Sequence, residues 1–104
     1  MARFDVYRHP DARRRKANPF FVSIQSDALD FLGTRVVIPL VDERSFGPRI
    51  EFLHPVLEIE SKSVVLATNE LVAVEHAALG NPIGTARNDA PAIVAAIDYL
   101  VSGY

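Results

Sequence analysis

FFVSIQSDALDFLGTRVVIPL, residues 20–40, decides how this chain folds. Phe20, Val22 and Ile24 alternate with Phe21, Ser23 and Gln25, which makes a strand with one apolar and one mixed face. Val36, Ile38 and Leu40 repeat the two-residue period beyond Gly33, with Arg35, Val37 and Pro39 opposite. Between the two, Gln25-Ser26-Asp27 breaks the alternation and offers side-chain acceptors to nearby backbone amides. Two strands joined by a polar corner place this stretch at the centre of a β-sheet.

Working outward, Phe4 and Val6 alternate with Arg3, Asp5 and Tyr7, so residues 3–7 read as a half-buried first strand. Residues 8–18 read as an exposed, mobile loop holding Pro10 and the block Arg13-Arg14-Arg15-Lys16, which repels itself. Residues 41–48 form a charged connector closed by Gly47-Pro48, with Phe46 as its one bulky apolar side chain. Phe46 serves either as a lid packed on the sheet or as a binding residue. Residues 49–58 predict two short strands around Pro55, residues 60–63 a hairpin turn, and residues 64–68 the returning strand. Residues 71–79 suit strand or helix, and the strands before them favour strand. Gly80-Asn81-Pro82-Ile83-Gly84 breaks the chain. Asn88 or Asp89 then caps a helix over residues 90–101, with Pro91 in its first turn and Gly103 as its stop. About seven strands and one C-terminal helix result, and an antiparallel sheet carrying one helix is the natural architecture.

That helix has one charge, Asp98, and is apolar most of the way round, so it needs cover on more than one side. A homodimer is the expected source of the second cover.

The 104 residues suit one domain, 1–104, and 49% hydrophobic with 23% charged residues is an ordinary globular composition. The chain has no cysteine, which removes disulfides and thiolate metal sites and suits a reducing cytoplasm. Met1-Ala2-Arg3-Phe4-Asp5 lacks the apolar core of a secretion signal, and the longest apolar run falls short of the ~20 residues of a membrane span. The expectation is a soluble cytoplasmic protein. Six of the eleven basic residues lie in the first sixteen positions, on an otherwise acidic chain of net charge −2. Such a segment is either a solvated loop or an attractor of acidic peptide or phosphate.

Catalytic constellations are weak. His9, His54 and His76 lack metal-ligand spacing, no serine sits in a nucleophile elbow, and no glycine-rich phosphate loop exists. Asp27 and Asp30 read better as turn-capping carboxylates than as an acid–base pair, and His54 before Pro55 reads as structural or solvent-facing. The residues describe a binding protein without metal or cofactor.

Phe4-Asp5-Val6-Tyr7, Phe21-Val22-Ser23-Ile24-Gln25-Ser26-Asp27, Leu29-Asp30, Arg35 and Val37-Ile38-Pro39-Leu40 resemble the CcdB family of bacterial toxins. So do His54-Pro55-Val56, Gly80, Arg87-Asn88-Asp89 and Ala96-Ile97-Asp98-Tyr99-Leu100 before Gly103. The resemblance implies a mainly β, SH3-like barrel of antiparallel strands with a single C-terminal helix, dimeric with the helices near the two-fold axis. It implies a type II toxin, no enzyme, that binds the A subunit of DNA gyrase and traps gyrase on cleaved DNA. A cognate CcdA-like antitoxin with a disordered tail strips it off, and toxin and antitoxin together repress their operon, touching DNA only indirectly.

Carried onto this sequence, the gyrase contacts are Ala28, Leu29, Asp98, Val101, Ser102, Gly103 and Tyr104. Where the best-known pattern ends Trp-Gly-Ile, this chain ends Ser102-Gly103-Tyr104, so the large ring has either moved or been lost. Arg13, Arg14, Arg15 and Lys16, with Glu43, Arg44 and Phe46, are the candidate antitoxin contacts. The alternatives are a MazF-type endoribonuclease on the same barrel, and a relative that poisons nothing and acts as antitoxin titrator or co-repressor.

Overall fold

A computed structural model describes residues 2–103. Its strands are β1 (Asp5–Arg8), β2 (Phe20–Ser23), β3 (Thr34–Asp42), β4 (Val56–Ile59), β5 (Lys62–Leu66), β6 (Val72–Glu75) and β7 (Gly84–Thr85). One-turn helices α1 (Glu43–Phe46) and α2 (His76–Leu79) join the long helix α3 (Ala90–Ser102). Every strand pairing is antiparallel, in the order β4-β5-β3-β2-β1-β7 with β6 also on β3. The result is a curled, mainly β half-barrel with a C-terminal helix, compatible with the SH3-like barrel.

β3 is the hub. Along one edge it pairs with β2, from Phe20 opposite Leu40 to Ser23 opposite Val37. Its other edge is divided, with β6 on residues 34–37 and β5 on residues 40–42. Pro39 lies at that change of partner, and its carbonyl accepts from Ala67 N at 3.0 Å. A proline, which cannot donate to a ladder, is tolerated in a central strand only at such a break.

Both faces of the sheet are covered. Phe20, Val22, Ile38 and Leu40 pack with Val6, Leu57, Val64 and Leu66 beneath Ile93 and Ala96 of α3. Tyr7, Phe21, Val37 and Leu79 form a second cluster on the face the sequence pattern marks as mixed. Ile93 is fully buried between helix and sheet. Ile93→Ala is therefore expected to cost about 2–5 kcal/mol, the range for emptying a buried aliphatic site. Urea denaturation measures it, as a lower midpoint at unchanged slope.

The polar corner behaves as its side chains predict. Gln25 Oε1 accepts from Val36 N and its amide donates to the carbonyls of Leu29 and Thr34, while Ser26 Oγ accepts from Ala28 N. Asp27 Oδ1 accepts from Arg3 N at 2.7 Å, so this carboxylate ties the corner to the N-terminal segment.

Five local expectations change. The first strand begins at Asp5, because Phe4 is left-handed (φ 72°). It is held so by its buried ring, by its N–H on Ser23 O and by its carbonyl under Ala86 N. Residues 49–55 hold no strand, only a turn over 51–53 and a bend at His54, with β4 starting at Val56. Here His54 Nδ1 accepts from Ile50 N and Arg49 Nη1 donates to His54 O, so side chains satisfy backbone groups that a strand would have paired. Within residues 71–79, β6 gives way to α2 at His76, whose N–H donates to Gly33 O. The breaker cluster holds a two-residue strand, β7, against Asp5 and Val6. In the β4–β5 hairpin only Glu60 and Ser61 turn, both at positive φ, and Lys62 already belongs to β5.

α3 starts and stops where the sequence places it. Pro91 lies in its first turn, and Gly103, left-handed at φ 80°, donates its N–H to Tyr99 O. Asp89 holds the N-cap position but makes no side-chain cap bond, because a 3-10 turn over Arg87–Asp89 feeds the helix directly. No helix among the described residues is long and apolar enough to cross a membrane.

Candidate functional site

Three surfaces offer themselves to partners. The first is the end of α3. Ile93 and Ala96 face the core, and the chain emerges with Val101 77% exposed and Ser102 and Gly103 in solvent. Asp98 is exposed one turn earlier. Tyr104 lies outside the described residues. Ala28 and Leu29 are also exposed, on the 3-10 turn Asp27–Leu29. Ile24 and Ile97 pack on the same core cluster, which links the corner strand to the helix.

The corner carries an apolar residue that sequence reasoning missed. Phe31 is 80% exposed, far more than Leu29. The signal lay in Arg35. Its buried guanidinium donates to the carbonyls of Asp30, Leu32 and Thr34 and lies 3.7 Å from the Asp30 carboxylate. An arginine that gathers the corner's carbonyls inward leaves Phe31 turned out. Asp30 thus serves the corner's structure, but the turn's side-chain cap is Ser26, whereas the Asp27 carboxylate takes the distant Arg3 N and that of Asp30 lies beside Arg35.

The second surface is the other side of α3. Ala92 and Ala95 are exposed and Tyr99 is half-buried. Phe52, from the turn before β4, stands 69% exposed with its ring 6.3 Å from that of Tyr99. Phe52, Ala95, Tyr99 and Gly103 line an apolar hollow of about 340 Å³. This apolar helix face is exposed in the single chain.

The third surface is a groove between the loop after β1 and α1. Arg13, Arg14, Lys16, Ala17, Asn18 and Ser45 line a hollow of about 530 Å³. It adjoins a second hollow of about 450 Å³, walled by Val41, Phe46 and Pro48, with Ala17, Asn18 and Ser45 common to both. Asp42 N donates to Ala17 O, which holds the loop against the end of β3. Two matching clamps flank the groove. Asp11 accepts from the amide and guanidinium of Arg13, and Asp42 does the same for Arg44. The arginine side chain, helped by its amide, holds each carboxyl below the usual carboxylate range.

The seven candidate antitoxin residues separate here. Arg13, Arg14 and Lys16 share the basic hollow, and Phe46 lines its apolar neighbour, half-buried with its ring edge-on to His54 at 4.8 Å. Glu43 and Arg44 line a different hollow with Lys62 and Ser63. Arg15 turns back, its Nε donating to His9 O at 2.7 Å. The expected loop is exposed and also hydrogen-bonded, with Asn18 N on Arg14 O.

Each buried histidine is structural. His54 Nε2 lies 2.7 Å from Asn69 Oδ1 while Nδ1 receives Ile50 N, so the proton sits on Nε2. His9 stacks on Phe21 at 4.7 Å, and its Nδ1 accepts from Asp11 N. Burial lowers the His9 pKa below its ordinary value, with Arg14 next in effect and Arg15 adding, against Asp11. Because the folded pKa lies below the unfolded one, this bond's contribution is intact above the ordinary imidazole pKa and is lost as pH falls through that value toward the folded one. Hydrogen exchange at Asp11 N–H is expected to quicken, relative to its intrinsic rate, on acidification below about pH 6.5. The gain is at most tenfold per pH unit, the limit for one proton. Tyr7, fully buried, has its phenol pushed up to about 12 by burial, reinforced by Asp5. Among the described residues no three His, Asp or Glu side chains gather as metal ligands.

The half-barrel thus presents an exposed helix end, an apolar helix face and a basic groove. Residues 3–103 match the family model described as CcdB protein, and the chain belongs to the CcdB family, the toxins of toxin–antitoxin pairs.

Proposed function

We propose that this toxin acts as a homodimer that binds the A subunit of DNA gyrase through its exposed helix ends and traps the enzyme on cleaved DNA. The single observation that supports this best is the end of α3, where Val101 stands 77% exposed on a helix whose other side is anchored in the core. Asp98, Ser102 and Gly103 share that end with Val101, and Ala28 and Leu29 on the corner complete the contact set. Tyr104 supplies the aromatic anchor that the ending Ser102-Gly103-Tyr104 otherwise lacks. A dimer displays its two ends in duplicate, and a two-fold partner grips two like ends at once.

The subunit seam in this reading is the face of Ala92, Ala95, Tyr99 and Phe52. Apolar surface of this kind gains about 25 cal/mol for each Å² removed from water. The cognate antitoxin occupies the groove of Arg13, Arg14 and Lys16 with a flexible acidic tail that orders on binding, displaces the toxin from gyrase, and joins it in repressing the operon. Pull-down of purified gyrase A by the intact chain tests the reading. Retention is expected, and failure to retain gyrase A at micromolar concentration removes it.

A further inference from the structure

We propose that Phe31 is a further anchor for the macromolecule that grips the helix end, entering an apolar pocket on it, and that buried Arg35 positions the ring by fixing the corner. The inference rests on the proposed capture of gyrase A and adds one contact residue and one positioning residue to that surface.

The corner is tied from within. Arg35 Nη1 donates to the carbonyls of Leu32 and Thr34, and its Nη2 donates to that of Asp30. The Gln25 amide holds the carbonyls of Leu29 and Thr34, and Leu32 N closes the turn on Leu29 O at 3.1 Å. The outward side has the opposite character. Phe31 is 80% exposed, with Leu29 and Leu32 exposed beside it. On a loose loop such a ring would fold back onto apolar surface, whereas this backbone is held and the ring stays out. A side chain fixed in this way has little backbone freedom left to lose on binding. That is the condition under which one aromatic residue carries much of an interface.

Charge and position choose the occupant. Both acids of the corner are engaged, Asp27 Oδ1 by Arg3 N and the Asp30 carboxylate by the Arg35 guanidinium 3.7 Å away. Residues 28–34 contain no basic side chain, so the tip suits an apolar pocket and not a phosphate backbone. Phe31 follows Leu29 by two residues, which keeps their Cα atoms within about 7 Å of each other. A stable interface covers roughly 800 Å² on each side, a patch about 30 Å across. A partner that holds Ala28 and Leu29 therefore meets Phe31 as well. The seam proposed for the second subunit lies elsewhere, on the α3 face beside Phe52.

Surface plasmon resonance of the full chain on immobilised gyrase A is the test. F31A is expected to weaken binding at least tenfold with an unchanged melt, whereas L71A, which truncates another exposed apolar side chain, leaves binding unchanged. R35K keeps the charge but loses the planar fork that spans three carbonyls. It is expected to quicken amide hydrogen exchange over residues 29–35 and to weaken binding about as much as F31A. In the F31A background R35K is expected to add little, since a positioning residue acts through the ring it positions, whereas a general structural loss adds in full. Q25A, which frees the Leu29 and Thr34 carbonyls, takes the place of R35K in this cycle if the lysine variant melts much lower. Unchanged affinity in F31A, an equal loss in L71A, or an F31A effect on the monomer–dimer equilibrium in place of gyrase binding overturns the anchor. Full additivity of the two substitutions overturns the role of Arg35. The underlying reading fails separately: an intact chain that gyrase A does not retain loses the capture and the anchor together, whereas a retained chain that binds as tightly with F31A loses the anchor alone.

Discussion

Removing Ser102, Gly103 and Tyr104 is expected to abolish capture of gyrase A while leaving the fold unchanged. Ser102 and Gly103 are exposed, and the backbone bonding lost is confined to the last turn of α3, including the bond from Gly103 N to Tyr99 O. The core contacts of α3 run through Ile93 and Ala96, two turns upstream, so the helix stays docked. Loss of a central anchor at an interface costs about 2 kcal/mol or more, which corresponds to roughly thirtyfold in affinity. A dimer suffers this at both ends. Surface plasmon resonance on immobilised gyrase A, paired with a thermal melt of the truncated chain, separates the two effects. An unchanged melt with binding weakened at least thirtyfold is the expected result. Unchanged binding would move the contact elsewhere, and exposed Phe31 would then be the first residue to replace.

Ala95→Glu is expected to split the dimer, with the dissociation constant raised at least a hundredfold. In the single chain Ala95 is exposed and lines the apolar hollow with Phe52 and Tyr99. Glutamate is a good helix former, so the monomer tolerates the change at a cost of a few tenths of a kcal/mol. Across a closed seam the same carboxylate would be buried without a cation, and desolvating an unpaired charge costs several kcal/mol. Two-fold symmetry brings the two new charges to the same seam, which adds repulsion. Sedimentation equilibrium at micromolar concentration measures the outcome. A wild-type chain that already sediments as a monomer removes the dimer from the proposal.

The two predictions draw on one helix, and its core-facing side was legible beforehand. Ile93 and Ala96 could be read from spacing, as could the stop at Gly103, because a 3.6-residue period and a left-handed glycine are local properties. That α3 is nearly apolar throughout could also be read. Its partner across the hollow could not, because Phe52 lies in a segment whose alternation of Ile50 and Phe52 imitates a strand. His54 overrides that pattern by binding Ile50 N through its ring, and both apolar side chains end up in solvent.

The antitoxin candidates divide for a similar reason. Four consecutive basic residues look alike in a sequence, yet the 3-10 turn over Ala12–Arg14 sends neighbouring side chains in different directions. Arg13 and Arg14 line the groove, whereas Arg15 holds the His9 carbonyl. Glu43 and Arg44 lie next to Phe46 in sequence but line another hollow, because one helical turn rotates successive side chains by about 100°.

Alternation in residues 20–40, the acceptors of Gln25-Ser26-Asp27 and the stop at Gly103 were enough to specify antiparallel strands, a polar corner and a closing helix. Each depends on groups within a few residues of one another, and side-chain periodicity and turn chemistry act over that range. Which edge of β3 receives β5 and which β6, why Pro39 is tolerated between them, and which arginines share a hollow with Phe46 depend on residues twenty or more positions apart. Those arrangements come from long-range backbone pairing and burial, and no local pattern in the chain encodes them.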